Sequence, residues 1–368
     1  MTTLEAKKAL IAPPGATLLE MIDSLKMSQT ELGERIGRSK AKISDLINGK
    51  TAITNETAHK LEMVLGVSAG FWLNLEKSYQ EELLEIQKLS FMENCKDWVS
   101  RFPTAFLKKQ GILPQTRIKA ELSEALLKFF RIASPKEWKD IYCENSMAFK
   151  IELKHTSNVE AISVWLRIGE LKTEQLNVKE FDKKEILNNI GLFEEICRNP
   201  SQNWMQDLVD LCAEQGIALV LVPSVPKAPI YGVARWLNKN SLPVIQLTDK
   251  NKDYNSFWFS FYHELGHILK HGKTDIFLEG LNDIVQDDKK EKEAHAFAKE
   301  HLELTQEVID KFPRNFNLLG PAKKRSYIKN IAKENALNES IVVSQLRRMK
   351  LIDYADVSMK SLKIKVEV

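Results

Sequence analysis

The run His263-Glu264-Leu265-Gly266-His267 constrains this 368-residue chain more than any other segment, because its chemistry requires one particular secondary structure. Aromatic and aliphatic residues at 256–262 and 268–269 predict a helix through the run. At 3.6 residues per turn, positions i and i+4 share a face, so His263 and His267 can point both imidazoles at one ion. Glu264 lies one residue along, where its carboxylate reaches a water on that ion and not the ion itself. The run therefore predicts a metal site with two histidine ligands and a carboxylate base.

A catalytic zinc ion needs a third protein ligand and an open fourth position. Five of the seven histidines fall between residues 263 and 301, and residues 291–298 predict a second helix. Glu291 and His295 share a face of that helix, whereas Glu293 lies about 200° away from Glu291 around it. The two glutamates cannot both face the metal, and either could be the ligand. The opposing interpretation is a solvated helix, since residues 287–293 are almost wholly charged.

Length and composition limit the remaining possibilities. The chain is long enough for two or three domains, and its 43% hydrophobic content is typical of a folded soluble protein. No apolar run approaches the roughly 18 residues of a membrane span, and residues 1–8 lack the apolar core of a signal peptide. Four cysteines lie far apart, which predicts reduced, mostly buried thiols in a cytoplasmic protein: Cys95, Cys143, Cys197 and Cys212. A net charge of +3 indicates no partner by itself.

A run of short helices is predicted near the N-terminus, after Pro13-Pro14-Gly15. They cover about residues 17–26, 29–36, 40–48 and 54–65, and glycines follow the last three at 37, 49 and 66. Ser28 and Glu31 form a capping box, and Ser39 is placed to cap the third helix. Helix, tight turn and helix with a polar, basic outer face is typical of a helix-turn-helix DNA reader. A small helical bundle without DNA-binding function is the alternative.

Four segments within residues 10–80 together resemble the HigA-type antitoxin branch of the XRE/Cro repressor family: Pro14-Gly15, residues 28–32, residues 43–50 and residues 71–75. The resemblance implies a homodimer that binds a palindromic operator in double-stranded DNA. Gln29 would open the supporting helix and Lys40 the recognition helix, with base-edge contacts expected at Lys40. The resemblance further implies that Lys42 and Ser44 face the groove, and that Asn48 and Lys50 touch phosphates.

The rest of the chain divides into a helical part and a part with strands. Residues 79–199 predict a packed helical connector, with helical stretches at 91–106 and 119–132 and with Pro103, Pro114 and Pro135 as breakers. Strands are predicted at 216–223, 232–237 and 243–247, and they describe a small antiparallel sheet packed on the helices that follow.

Residues 200–350, with the His263–His267 helix and the later glutamate helix, resemble the ImmA/IrrE metallopeptidase family. The resemblance implies Zn2+ held by His263, His267 and Glu291, with Glu264 as the catalytic base. Glu293 stays open as the alternative third ligand. It also implies a sheet edge that aligns an extended peptide beside the metal. Tyr262, His271 and His295 are candidates for supporting the ligands.

The resulting prediction is a mostly helical α+β chain. Residues 1–80 form a five-helix HigA-like domain, residues 81–200 a helical connector, and residues 201–368 a metallopeptidase domain with a small antiparallel sheet packed on zincin helices. The predicted function is an antitoxin- or repressor-type transcriptional regulator whose zinc endopeptidase domain cleaves a repressor, a toxin partner or itself. The alternative is a non-proteolytic HigA-like antitoxin that represses its own operon and uses the metal domain only to recognise a partner. The operator sequence, the substrate and the activating signal are not predicted.

Overall fold

The computed structural model describes residues 11–144, 159–248, 253–272, 277–279 and 288–366. Contacts group the chain into two compact units, residues 1–99 with 114–126 and residues 100–113 with 127–368. The predicted domain boundaries at 80 and 200 stay a prediction. The expectation for residues 1–8 and the side chain of Cys143 lie outside the described residues.

The first unit begins with the five helices predicted for a helix-turn-helix domain. They are α1 (Pro14–Ser24), α2 (Gln29–Ile36), α3 (Lys40–Ile47), α4 (Asn55–Leu65) and α5 (Ala69–Asn94), followed by the short α6 (Lys96–Val99). Ser28, Ser39 and Thr54 cap α2, α3 and α4 by accepting a hydrogen bond from a backbone N–H of the first turn. Gly37 and Gly66 end α2 and α4 in the left-handed conformation. The predicted five-helix domain is confirmed.

One hydrophobic core holds these five helices together. Leu18, Ile43, Leu61 and Trp72, from four of the helices, are all completely buried in it. Helix α1 crosses α3 at Gly15, where a Cβ atom would lie 2.2 Å from the Leu46 carbonyl oxygen. Only glycine permits that close approach, which explains its position directly after Pro14.

The next helices are α7 (Thr104–Lys109), α8 (Lys119–Phe130), α9 (Pro135–Lys139) with a π-helical turn at Asp140–Glu144, α10 (Val159–Thr173), α11 (Lys183–Asn188), α12 (Ile190–Arg198) and α13 (Trp204–Glu214). The helical stretch predicted at 91–106, with a break at Pro103, is divided among three helices and is also interrupted before Lys96. Helix α5 ends at Asn94, α6 covers Lys96–Val99, and α7 begins only after Pro103. The predicted 119–132 helix ends two residues early, because Arg131 adopts a left-handed conformation with φ 54°.

The second unit contains a mixed four-stranded sheet. Its strands are β1 (Ala218–Val222), β2 (Gly232–Leu237), β3 (Leu242–Thr248) and β4 (Phe277–Glu279), in the order β1-β3-β2-β4. Strands β2 and β3 form an antiparallel hairpin, and β4 pairs antiparallel with β2. Strand β1 pairs with β3 in parallel, so the prediction of a purely antiparallel sheet is wrong at this pair. Strand β3 therefore lies between β2 and β1, antiparallel to β2 and parallel to β1.

Helix α14 (Tyr254–Lys270) carries the His-Glu-Leu-Gly-His run and lies in the core of the second unit. It is followed by α15 (Asp288–Leu302), α16 (Gln306–Asp310), a 3-10 turn at Phe316–Leu318, α17 (Pro321–Glu334), α18 (Glu339–Arg348) and a second 3-10 turn at Val357–Leu362. Asp253 caps α14 by accepting from the Ser256 N–H at 3.1 Å. Helix α15 packs on α14 at Gly266, where a Cβ atom would lie 3.2 Å from the Ala294 Cα atom. The predicted pair of helices is therefore present and in direct contact.

Two further predictions can be compared with the described residues. Cys95, Cys197 and Cys212 are buried free thiols, as predicted, and burial raises the pKa of each. Within the described part of the chain, no helix is both long enough and apolar enough to cross a bilayer.

Candidate metal centre and DNA-binding surface

Helix α14 presents His263 and His267 on the side that faces α15. The two Nε2 atoms lie 3.1 Å apart, and the residues are only 5% and 2% exposed. The spacing of four residues brings the rings together as predicted, because one helical turn separates them.

Glu291 of α15 completes a group of three. Its Oε2 lies 3.3 Å from the Nε2 of His263, and its Oε1 lies 3.3 Å from the Nε2 of His267. Within the described residues these three side chains form a cluster that could hold a metal ion, with ligand atoms within 4.8 Å of one another. Four ligands placed tetrahedrally about 2.0–2.1 Å from zinc are about 3.3 Å apart, so the donor spacing fits this ion. The fourth direction remains for water or substrate.

The ionisation of the cluster also suits a cation. Burial lowers the pKa of His267 to about 4, so this imidazole is neutral at physiological pH. Burial alone would raise the pKa of Glu291, but its hydrogen bonds with His263 and His267 outweigh that effect and lower the pKa to about 2. The centre therefore offers an unprotonated imidazole and an anionic carboxylate, which are the forms that bind metals.

Glu264 lies outside the three-residue cluster and faces the sheet. It is completely buried, and a Cβ atom added to Gly232 of β2 would lie 2.8 Å from its Oε1 atom. The strand thus fixes the carboxylate from one side, at a position where only glycine leaves room. Gly232 borders the candidate centre and was not predicted from the sequence, where a glycine at the start of a predicted strand was the available signal.

Glu293 takes a different partner from Glu291. Its Oε2 lies 3.3 Å from the Nε2 of His271, and the Nδ1 of His271 lies 3.0 Å from the Nδ1 of His267. The two glutamates point in different directions, as the helical geometry predicts. Geometry favours Glu291 as the ligand, and its role as a ligand stays a prediction.

The other two candidate supporting residues differ in position. His295 is exposed and lines a groove of about 440 Å³ together with Glu291, Lys292, Ala296 and Lys299. Tyr262 is buried and stacks on His301, with ring centroids 4.9 Å apart. The Nδ1 of His301 in turn lies 2.8 Å from the Oε1 of Glu194 on α12. That contact was not predicted, because 107 residues separate the two and no sequence spacing connects them.

The six predicted DNA contacts lie on α2, α3 and the turn after α3. Lys40, Lys42, Asn48 and Lys50 are exposed, and Gln29 and Ser44 are half-buried. The Nδ2 of Asn48 donates to the Ser44 carbonyl oxygen at 2.8 Å, which orders the end of α3. The structure thus presents a polar, basic face, and the individual contacts stay predictions.

Comparison with known proteins identifies two parts of the chain. Residues 18–72 match a helix-turn-helix family, and residues 218–325 match the family described as the IrrE N-terminal-like domain. The uncharacterized HTH-type transcriptional regulator YddM of Escherichia coli is 32% identical over 80 residues, which cover 21% of this chain and 85% of that protein. The structure of an addiction module antidote protein of the HigA family from Coxiella burnetii is 28% identical. This match covers 23% of the present chain and 92% of the antidote protein, with a TM-score of 0.22.

Proposed function

The chain belongs to the XRE-type helix-turn-helix transcriptional regulators and carries an IrrE-like peptidase-family domain, and from this premise we propose that it is a repressor or antitoxin with zinc-dependent endopeptidase activity. The observation that carries the proposal is the convergence of His263, His267 and Glu291 at ligand spacing, with Glu264 next to them on α14. The proposed substrate is a repressor, a toxin partner or the chain itself.

Each side chain has a defined task in this proposal. His263, His267 and Glu291 would hold the ion, which supplies a Lewis acid that polarises a peptide carbonyl and acidifies water. Glu264 would accept a proton from the attacking water and return it to the leaving amine. Gly232 leaves room for the completely buried Glu264 carboxylate and limits its position on the side of the sheet. The groove beside Glu291, with its exposed His295 and Lys299, is the proposed path for the peptide.

The deciding experiment for catalysis compares the wild-type protein with Glu264→Gln. Both proteins are loaded with zinc and checked for equal metal content. Each is then incubated with the proteins encoded by the neighbouring genes, and mass spectrometry identifies the new N-termini that cleavage produces. General base catalysis is worth about 10²–10⁴-fold, so cleavage by the variant should fall by that factor. If cleavage and any transcriptional response persist in the zinc-loaded variant, the protease proposal is wrong. If neither protein cleaves, the non-proteolytic antitoxin is favoured instead.

For the DNA-binding part, the proposal is a homodimer on a palindromic operator, read by α3. Replacing Lys40 and Gln29 together with alanine should abolish the mobility shift of DNA from upstream of the gene, while Lys77→Ala on α5 should leave the shift unchanged. Lys50→Ala removes one proposed phosphate contact, and should reduce the slope of log affinity against log salt concentration by about 1 for every sequence tested. Unchanged binding by the double variant would refute the assignment of α3.

A further inference from the structure

A row of polar contacts runs away from the ligand cluster behind His267. The Nε2 of His267 faces the cluster, and its Nδ1 lies 3.0 Å from the Nδ1 of His271. The Nε2 of His271 lies 3.3 Å from the Oε2 of Glu293. Two helices contribute to the row, since His271 directly follows α14 and Glu293 belongs to α15.

When a cation is bound at the cluster, only one placement of the imidazole protons satisfies all the contacts of this row. A ring nitrogen that binds a cation carries no proton, so with its Nε2 turned to the cluster His267 bears its N–H at Nδ1 and donates to His271. The acceptor is the Nδ1 of His271, which must therefore be unprotonated. His271 then bears its proton at Nε2 and donates to the Glu293 carboxylate. Each hydrogen bond fixes the tautomer needed by the next one.

The part of the row next to the metal cluster is shielded from water, and the far end is open to it. The His271 side chain is only 3% exposed, whereas that of Glu293 is 43% exposed. The N–H of His271 also donates to the His267 carbonyl oxygen at 3.0 Å, which holds the ring beside its neighbour. The other histidine of the cluster has no such support within the described residues, where the Nδ1 of His263 is buried without a hydrogen-bond partner.

We infer that His271 and Glu293 are positioning residues that fix the tautomer and ring orientation of His267, and that they thereby set the affinity of the centre for its metal. The inference rests on the proposed metal site. Removing an outer partner of a ligating histidine costs about 10–100-fold in metal affinity or activity. Glu293 thus acts on the centre without touching the ion.

The test measures zinc affinity by competition with a chelator on the full chain. His271→Ala should weaken zinc binding by about 10–100-fold. Glu293→Asp keeps the charge but is one methylene too short to reach His271, and should weaken binding by about 10-fold, at the lower end of that range. Glu300→Asp, at an exposed position of the same helix, is the matched control and should bind like the wild type.

A second readout separates positioning from general destabilisation. In zinc-loaded protein labelled with ¹⁵N at histidine, ring spectra should show the His271 proton at Nε2 in the wild type and a loss of that single tautomer in Glu293→Asp. Affinities of both variants within twofold of the wild type would overturn the inference, and so would an unchanged His271 spectrum in Glu293→Asp. A wild-type chain that binds no zinc would instead refute the proposed function together with the inference. Should His271→Ala fail to fold, the half-exposed Glu293 position still decides the question.

Discussion

Acidification is expected to weaken the metal-free protein through one buried imidazole, that of His267. Burial lowers its folded-state pKa to about 4, whereas an ordinary histidine in the unfolded chain titrates near 6.5. Between these values the unfolded chain binds a proton that the folded chain does not, so the free energy of unfolding falls as the pH falls. From pH 7.5 to pH 4.5 this one group should remove about 2 to 3 kcal/mol. Glu291 acts in a lower window, since its folded pKa of about 2 lies below the ordinary 4.5.

The measurement compares chelator-treated wild type and His267→Gln at pH 7.5 and pH 4.5. Native-state hydrogen exchange of α14 amides in urea is the suitable assay, because two compact units need not unfold together. The wild type loses stability through all its titrating groups, so the difference between the two losses reports the His267 imidazole together with its effect on Glu291. The variant should lose about 2 to 3 kcal/mol less than the wild type. His59→Gln, at an exposed position in α4, is the control and should behave like the wild type. Equal losses in wild type and His267→Gln would refute the reasoning.

Two further substitutions test a close contact beside the centre and a buried ion pair in the C-terminal helices. In Gly232→Ala the new Cβ would lie 2.8 Å from the Oε1 of Glu264, so the carboxylate must shift by roughly 0.5 Å. Cleavage should fall by about 10-fold while the zinc content stays unchanged. Normal cleavage would show that the placement of the Glu264 carboxylate is not critical. Lys324→Met removes the ammonium 2.6 Å from the carboxylate of Asp356, which is 12% exposed, and should cost about 3 kcal/mol in urea unfolding. The exposed neighbour Lys323→Met should cost less than about 0.5 kcal/mol, and equal effects would contradict a buried pair.

Features decided within one or two helical turns could be predicted from the sequence. The predicted caps of α2 and α3 depend on a Ser side chain and a backbone N–H three residues away, and both are present. The approach of His263 to His267 depends only on the period of the helix. The polar, basic face of α3 follows for the same reason.

Features that depend on distant pairing were predicted less well. Nothing local distinguishes a strand that pairs in parallel from one that pairs antiparallel, so β1 was placed in an antiparallel sheet although it runs parallel to β3. Strand β4 is three residues long and was not predicted, since so short a run has no measurable alternation. The contact of His301 with Glu194 is of the same kind, because it joins two helices whose relative placement the sequence does not show.

The two glutamates of α15 show how local geometry and packing combine at the centre. Helical periodicity separates Glu291 and Glu293 by about 200°, which excludes both as ligands to one ion. It does not follow that only one of them serves the centre, because α14 and the residue directly after it carry histidines at three successive turns. Glu291 meets the first two, His263 and His267, and Glu293 meets the third, His271, which contacts His267 from behind. A helix lying against three successive imidazoles can thus supply one carboxylate to the ion and another to a ligand. Both glutamates therefore have a proposed role, one as a ligand and one as a positioning residue. Glu291→Ala should abolish zinc binding, whereas Glu293→Asp should only weaken it.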